Sequence, residues 1–298
     1  MRIVTRPDFD GVVCAALLYE AENITEPVKW VEPSDIQKGK IVIKTGDIIA
    51  NLPHNEKCSL WFDHHYTNTI NKPFNGAFKI APSAAGIVFE YYKDRFKQDY
   101  SLLIKETDKI DSANLSMDEV LYPENYPYIL LSMTISGRNK GDEGYWNRMV
   151  DLIRKFKIEA IINDQAVQQR LKAVDSNNKK YKELLKKYTR TEKHVSITDF
   201  RSLNETPDGN RFLAYCLFPE SVVNVKIRYD DKDRQVVALS IGHSIFNKNC
   251  NVNVGLLLSR FEGGGHQGAA SCRFHVSKSD DYIQKIIEIL LKNEPNED

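Results

Sequence analysis

The stretch Cys58–Tyr66, CSLWFDHHY, decides how the chain is read. The apolar run Leu60-Trp61-Phe62 has the character of a buried strand, and it gives way at once to a carboxylate and two imidazoles, Asp63-His64-His65. Two adjacent histidines alone are compatible with a surface position. Directly behind Leu-Trp-Phe they read as side chains that a strand delivers to a ligand.

Working outward, three more strand patterns precede this one. Arg2-Ile3-Val4-Thr5 leads into the turn Asp8-Phe9-Asp10-Gly11, and Val12 to Glu22 then carries a helical apolar face. Val28-Lys29-Trp30-Val31 is a second strand, stopped by Pro33, and Ile41-Val42-Ile43 a third, stopped by Gly46-Asp47. Ser83 is placed to cap a helix running from Ala84 to about Phe96. Strands alternating with helices predict an α/β fold with a largely parallel sheet. In such a sheet the carboxyl ends of the strands share one edge, where ligands bind. Strand one leads to Asp8 and Asp10, strand three to Asp47, and strand four to Asp63-His64-His65. Taken singly, Asp-x-Asp-Gly and Gly-Asp are ordinary turn chemistry. Taken together, they are carboxylates that would repel one another unless a divalent cation sat among them. Oxygen-rich ligation with imidazole favours Mn²⁺ or Mg²⁺ over a closed structural zinc site. So many carboxylates suggest two ions, and ions about 3.5–4 Å apart suit in-line hydrolysis of a phosphoester or phosphoanhydride.

From about residue 151 to 188 glycine is absent, lysine is dense and apolar residues recur at helical spacing. The basic run Lys179-Lys180 to Lys186-Lys187 reads as a solvated helix face. A second β-rich block follows, with strands at Val195-Ser196-Ile197, Val222 to Tyr229 and Gln235 to Ile241. Asp230-Asp231-Lys232-Asp233 is the hairpin turn between the last two, and a helix from Asp281 to Lys292 follows. The expected organisation is a catalytic domain over 1–150, a helical connector over 151–190 and a smaller α/β substrate-binding domain over 191–298. The 298 residues are 42% hydrophobic with a formal net charge of +0, so long-range attraction to nucleic acid or membrane is weak. None of the five cysteines lies in a C-x-x-C pair, which argues against a disulfide framework or zinc knuckle. The chain opens directly in a strand pattern, and no apolar run approaches the roughly 18 residues of a membrane span. A cytoplasmic location is the expectation.

Arg6-Pro7-Asp8-Phe9-Asp10-Gly11, Asp47, Asp63-His64-His65 and the late Gly263-Gly264-Gly265-His266 together resemble the DHH/DHHA1 phosphoesterases. That superfamily includes RecJ-type nucleases, nano-RNases, pAp phosphatases, cyclic-dinucleotide phosphodiesterases and exopolyphosphatase-like proteins. The resemblance covers residues 2 to about 276. It implies two Mn²⁺ ions, with Mg²⁺ or Co²⁺ able to substitute. It further implies Asp8 and Asp10 as ligands, Asp47 as a bridging acid, and His64 as the histidine ligand with Asp63 orienting it. His65 would meet the scissile phosphate or leaving group. The last acid would be Asp111, or failing that Asp108. The Gly263–His266 loop would bind the terminal phosphate, with Gly268-Ala269-Ala270 opening a helix behind it.

The chain departs from the family pattern in two places. Where many members carry a histidine ligand before the first aspartate, it has Arg6 and Val4. Arg6 is then either a phosphate contact or a structural ion pair. Where an arginine is common on the strand before the glycine loop, it has His243 in the cationic place. Arg211 and Arg138 are further candidates for phosphate contact. The implied activity is hydrolysis of short oligonucleotides or small nucleotides held in a cleft between the domains, with homodimerisation left open. Exopolyphosphatase activity on polyphosphate is the alternative, and a catalytically impaired nucleotide-binding regulator the third reading.

Overall fold

In the computed structural model, which describes residues 1–137 and 140–297, the run Arg2–Thr5 is strand β1 and Phe9–Ala21 is helix α1. Then come β2 (Lys29–Trp30), α2 (Pro33–Gln37), β3 (Asp47–Ala50), β4 (Leu60–Asp63) and β5 (Gly76–Phe78). Helices α3 (Ala84–Tyr92), α4 (Ser101–Asp111), α5 (Met117–Leu121), α6 (Pro127–Ser132), α7 (Glu143–Lys155), α8 (Ile158–Ile161) and α9 (Gln165–Tyr188) follow. The remainder is β6 (Thr189–Glu192), β7 (Val195–Asp199), α10 (Leu213–Leu217), β8 (Val223–Tyr229), β9 (Val236–His243), α11 (Val254–Ser259), β10 (Gly263–His266), β11 (Ala269–His275) and α12 (Ser279–Lys292). Two compact units result. One comprises Met1–Leu115 and Pro123–Lys172, the other Ser116–Tyr122 and the chain from Ala173 onward. Among the described residues no helix is long and apolar enough to cross a membrane.

The first unit is built on a five-stranded sheet of order β2-β1-β3-β4-β5, parallel throughout. Period-two alternation sorts its side chains. Ile3, Ile48, Ala50 and Phe62 join the helical core with Val12, Val13, Leu17, Ile87, Val88 and Met149. Val4, Ile49 and Trp61 face the other way, among Val31, Ile43 and Leu52. Trp61 stacks on Phe78 at 5.1 Å, and its indole N–H donates to the Leu52 carbonyl at 2.9 Å. Gly76 enters β5 at φ 114, where a Cβ would lie 2.1 Å from the Trp61 carbonyl oxygen, so only glycine fits.

The register moves one expected strand. Ile41-Val42-Ile43 pairs with nothing in this sheet: Ile43 is buried in the layer beneath it, while Val42 is 72% exposed. The third strand instead begins at Asp47, which lies opposite Arg2, and ends at Ala50, opposite Thr5.

The second unit carries a six-stranded sheet of order β10-β11-β9-β8-β7-β6, in which only β7 and β8 run parallel. Val195, Ile197, Val223, Val225, Leu239, Ile241, Cys272 and Phe274 form its core with Leu257 and Leu258 of α11 and Ile286, Ile287 and Leu290 of α12. The Gly268-Ala269-Ala270 segment opens strand β11, not the expected helix. The reason is the alternation that follows, in which Ala270, Cys272 and Phe274 are buried between exposed Ala269, Ser271 and Arg273. Gly263–His266 is accordingly an edge strand, paired antiparallel with β11.

Candidate metal centre

The carboxyl edge of the parallel sheet gathers one cluster. Leaving β1, Asp8 caps α1, accepting from the Gly11 amide at 2.8 Å. Asp10 lies in the first turn of the same helix and is 1% exposed. Its two oxygens accept from the Ala84 and Ala85 amides at 3.0 and 2.8 Å, at the start of α3. A helix N-terminus favours a carboxylate there. Ser83 caps α3 through the Gly86 amide at 2.9 Å and donates to Asp108 at 2.5 Å. Leaving β4, His64 donates from Nδ1 to the Ala81 carbonyl at 2.9 Å, so its Nε2 carries a lone pair. That Nε2 stands 3.4 Å from Asp111 Oδ2 and 3.9 Å from Asp10 Oδ2. Asp10, His64 and Asp111 thus offer three ligand atoms within 4.8 Å of one another.

Electrostatics at the cluster are unfavourable without a cation. Burial raises the Asp10 pKa to about 7, and the charge of Asp8 adds to the effect. Burial raises Asp8 as well, against the opposing pull of Arg6. Burial lowers His64, which keeps the imidazole neutral. Among the described residues His64 Nε2 has no hydrogen-bond partner, and neither does Asn51 Oδ1. A lone pair facing a carboxylate, an orphaned buried carbonyl and two carboxylates driven toward protonation are all relieved by one species of ligand, a divalent cation. Oxygen donors with a single imidazole suit a hard ion such as Mn²⁺ or Mg²⁺.

Several expected assignments change. Asp47 lies at the amino-terminal end of β3, away from this cluster. Four residue steps of extended chain separate it from Asn51, about 13 Å at about 3.3 Å per residue. Its carboxylate is taken by Arg2, at 3.0 Å from Nε and 2.6 Å from Nη2, and by the Lys44 amide at 2.8 Å. Asn51, which acid-based reasoning passes over, occupies the carboxyl end of β3 and donates from Nδ2 to Asp8 Oδ1 at 2.9 Å. Asp63 orients His65 rather than His64. It is fully buried, and its Oδ1 meets His65 Nδ1 at 2.8 Å while Asn68 Nδ2 donates to its Oδ2 at 2.6 Å. Residues two apart on an extended chain share a face, and His64 points to the other. The Asp63 hydrogen bond raises the His65 pKa. Arg6 Nε lies 3.3 Å from Asp8 and 3.6 Å from Glu32, an ion-pair arrangement, with the side chain 41% exposed.

In the second unit, a Cβ on Gly263 would lie 2.3 Å from the Ser271 carbonyl oxygen, and one on Gly265 would lie 2.5 Å from that of Ala269. Those two glycines are required by packing. A Cβ on Gly264 would meet none of the described residues within 4 Å, so their packing does not explain that glycine. His266 is exposed, and Arg211 is exposed with its guanidinium 4.7 Å from the Phe212 ring centroid. His243 does not fill the expected cationic place. Its Nε2 donates to the Val252 carbonyl at 2.9 Å, and burial lowers its pKa, so the ring is neutral. Arg138 lies outside the described residues.

No family model matches the chain, and no curated protein matches it in sequence. Solved structures do match. A pGpG-specific phosphodiesterase from Vibrio cholerae is 29% identical, superposes with a TM-score of 0.84, and is matched over 98% of this chain and 99% of its own. An exopolyphosphatase-related protein from Bacteroides fragilis shares the fold at 11% identity and a TM-score of 0.56, over 96% of this chain and 91% of its own. RecJ from Thermus thermophilus in complex with Mn²⁺ shares it at 10% identity and 0.57, over 98% of this chain and 52% of its own.

Proposed function

We propose that this chain, whose structural neighbours are DHH-family proteins, is a metal-dependent phosphodiesterase that hydrolyses short linear oligonucleotides, dinucleotides of the pGpG kind foremost. The observation that carries the reading is the end-to-end likeness to the pGpG-specific enzyme. The chemistry of the cluster supports it independently.

Asp8, Asp10, His64 and Asp111 would hold the cation. When bound, a divalent ion supplies charge neutralisation at the phosphoryl group and activation of water. The protein's own part lies in orientation and proton transfer. The α3 amides fix both oxygens of Asp10, and the Ala81 carbonyl fixes the His64 tautomer. Asp63 keeps a proton on His65 Nδ1 and holds the ring charged to higher pH than a free imidazole. His65 Nε2 is then the proton donor to the departing ribose oxygen as water adds to phosphorus and the P–O bond breaks. The products are nucleoside monophosphates.

The test is hydrolysis with Mn²⁺ of pGpG, a longer oligonucleotide, pAp, a cyclic dinucleotide and polyphosphate, each supplied alone. Nucleoside monophosphate from pGpG is expected. Orthophosphate from polyphosphate with pGpG untouched would overturn the reading in favour of an exopolyphosphatase. Nucleotide binding without turnover of any of them would point to a regulator.

A further inference from the structure

We propose that Asn51 is a neutral oxygen ligand of the cation and sets the charge of the centre. The proposal rests on the metal-dependent reading above and adds a residue that neither the acid-histidine motifs nor the comparisons single out. Sheet order supplies the placement. β3 lies between β1, which leads to Asp8 and Asp10, and β4, which leads to His64. The residue that follows β3 therefore stands between the two segments that deliver ligands, and that residue is Asn51. Its amide N–H donates to the Phe62 carbonyl at 3.0 Å, which ties it to the end of β4.

Its conformation is unusual. Asn51 has φ 56, a left-handed region that asparagine and aspartate enter more readily than other side-chain-bearing residues. The side chain is 2% exposed. Asp8 is an acceptor, so Nδ2 must face it, and that orientation leaves the carbonyl oxygen as the end of the amide not used by Asp8. Among the described residues this buried oxygen has no donor. A buried carbonyl without a donor, on the side chain that holds Asp8, is a ligand atom for a hard cation. Aspartate in this position would have no N–H for Asp8 and would add a further charge beside it. Asparagine steadies Asp8 and still presents an oxygen, and the set stays at three carboxylates: Asp8, Asp10 and Asp111. A centre with fewer negative charges binds its ions less tightly and retains more positive charge for an anionic substrate.

The experiment is Mn²⁺ titration of protein stripped with chelator, followed by calorimetry and by the electron paramagnetic resonance signal of free Mn²⁺. Four proteins are compared: wild type, Asn51→Gly, Asn51→Asp and Asp10→Asn. Glycine keeps the left-handed backbone and removes the oxygen, and Mn²⁺ affinity should fall about ten- to hundredfold. Aspartate keeps the shape and adds charge, and affinity should rise about tenfold or more. Asn51→Asp remains decisive if the glycine variant fails to fold. Both Asn51 variants matching wild type while Asp10→Asn loses Mn²⁺ would overturn the role of Asn51 and leave the metal centre standing. Asp10→Asn binding Mn²⁺ as wild type does would overturn the metal centre itself.

Discussion

Replacing Asp10 with asparagine should make the metal-free protein more stable while abolishing its response to metal. Asp10 has an unperturbed pKa of 3.8 and one of about 7 in the folded chain. Between those values the folded state binds a proton that the unfolded chain has released, so stability falls as pH rises. The contribution is fully present below 3.8 and is lost on passing through about 7. The interval amounts to about 4 kcal/mol at about 1.36 kcal/mol per pH unit. Asparagine carries no charge and escapes this penalty. It loses something in return, since each Asp10 oxygen accepts a backbone N–H and the amide can offer an oxygen to only one of Ala84 and Ala85. One lost hydrogen bond to a buried donor costs about 1–2 kcal/mol. The net expectation is a gain of about 2–3 kcal/mol at about pH 8 in chelator, measured by urea unfolding. Saturating Mn²⁺ should stabilise wild type, by about 2.7 kcal/mol at a hundredfold excess over Kd, and leave the variant unmoved. A variant less stable than wild type in chelator, or a wild-type stability flat across this pH range, would refute the electrostatic account. Equal Mn²⁺ stabilisation of both proteins would refute the ligand assignment.

Further outcomes follow from the same geometry. His65→Gln should lower kcat about 10²- to 10⁴-fold with Mn²⁺ affinity unchanged; loss of metal binding instead would make His65 a ligand. His65 is charged below its raised pKa and loses its proton as pH rises through it, so Asp63→Asn should move the alkaline limb of the kcat profile to lower pH. Asp47→Ala should keep turnover per folded molecule yet cost about 3 kcal/mol of stability, because it leaves Arg2 without its partner; a loss of turnover without a loss of stability would return Asp47 to the centre. Gly264→Ala should fold normally and raise KM, whereas Gly265→Ala should lower Tm, since its methyl would meet the Ala269 carbonyl; the reverse pattern would remove Gly264 from substrate binding.

Parts of both units can be read directly from the sequence. The strands Arg2–Thr5 and Leu60–Asp63 stand where their apolar runs place them, and so do the cap at Ser83 and the hairpin turn between β8 and β9. What fails is the third strand. Ile41-Val42-Ile43 has the better β composition, but Asp47–Ala50 makes the pairs, because only that segment alternates its side chains between the two layers that flank the sheet. The error is small in sequence and large in space. A parallel sheet has one chemical edge, and starting a strand six residues late, at Asp47 instead of Ile41, turns the acid expected after the strand into its first residue, at the opposite edge.

The same geometry explains why a search for acids misses Asn51. Ligands are sought by charge, but the position after β3 is selected by three demands at once: a left-handed backbone, an N–H for Asp8 and an oxygen for what lies beyond it. Aspartate meets the first and third, glycine only the first, and asparagine all three. The Asp63-His64-His65 run poses the companion problem. Adjacent letters suggest that Asp63 serves its immediate neighbour, yet side-chain alternation gives it to His65 and leaves His64 to a carbonyl seventeen residues away. One run therefore yields two chemically distinct imidazoles, one biased by burial toward the neutral form with a lone pair facing the acids and one biased by a buried carboxylate toward the charged form. Nothing in the spelling separates their roles. The separation comes from which ring nitrogen finds a backbone oxygen and which finds a carboxylate, and only the folded strand end decides that.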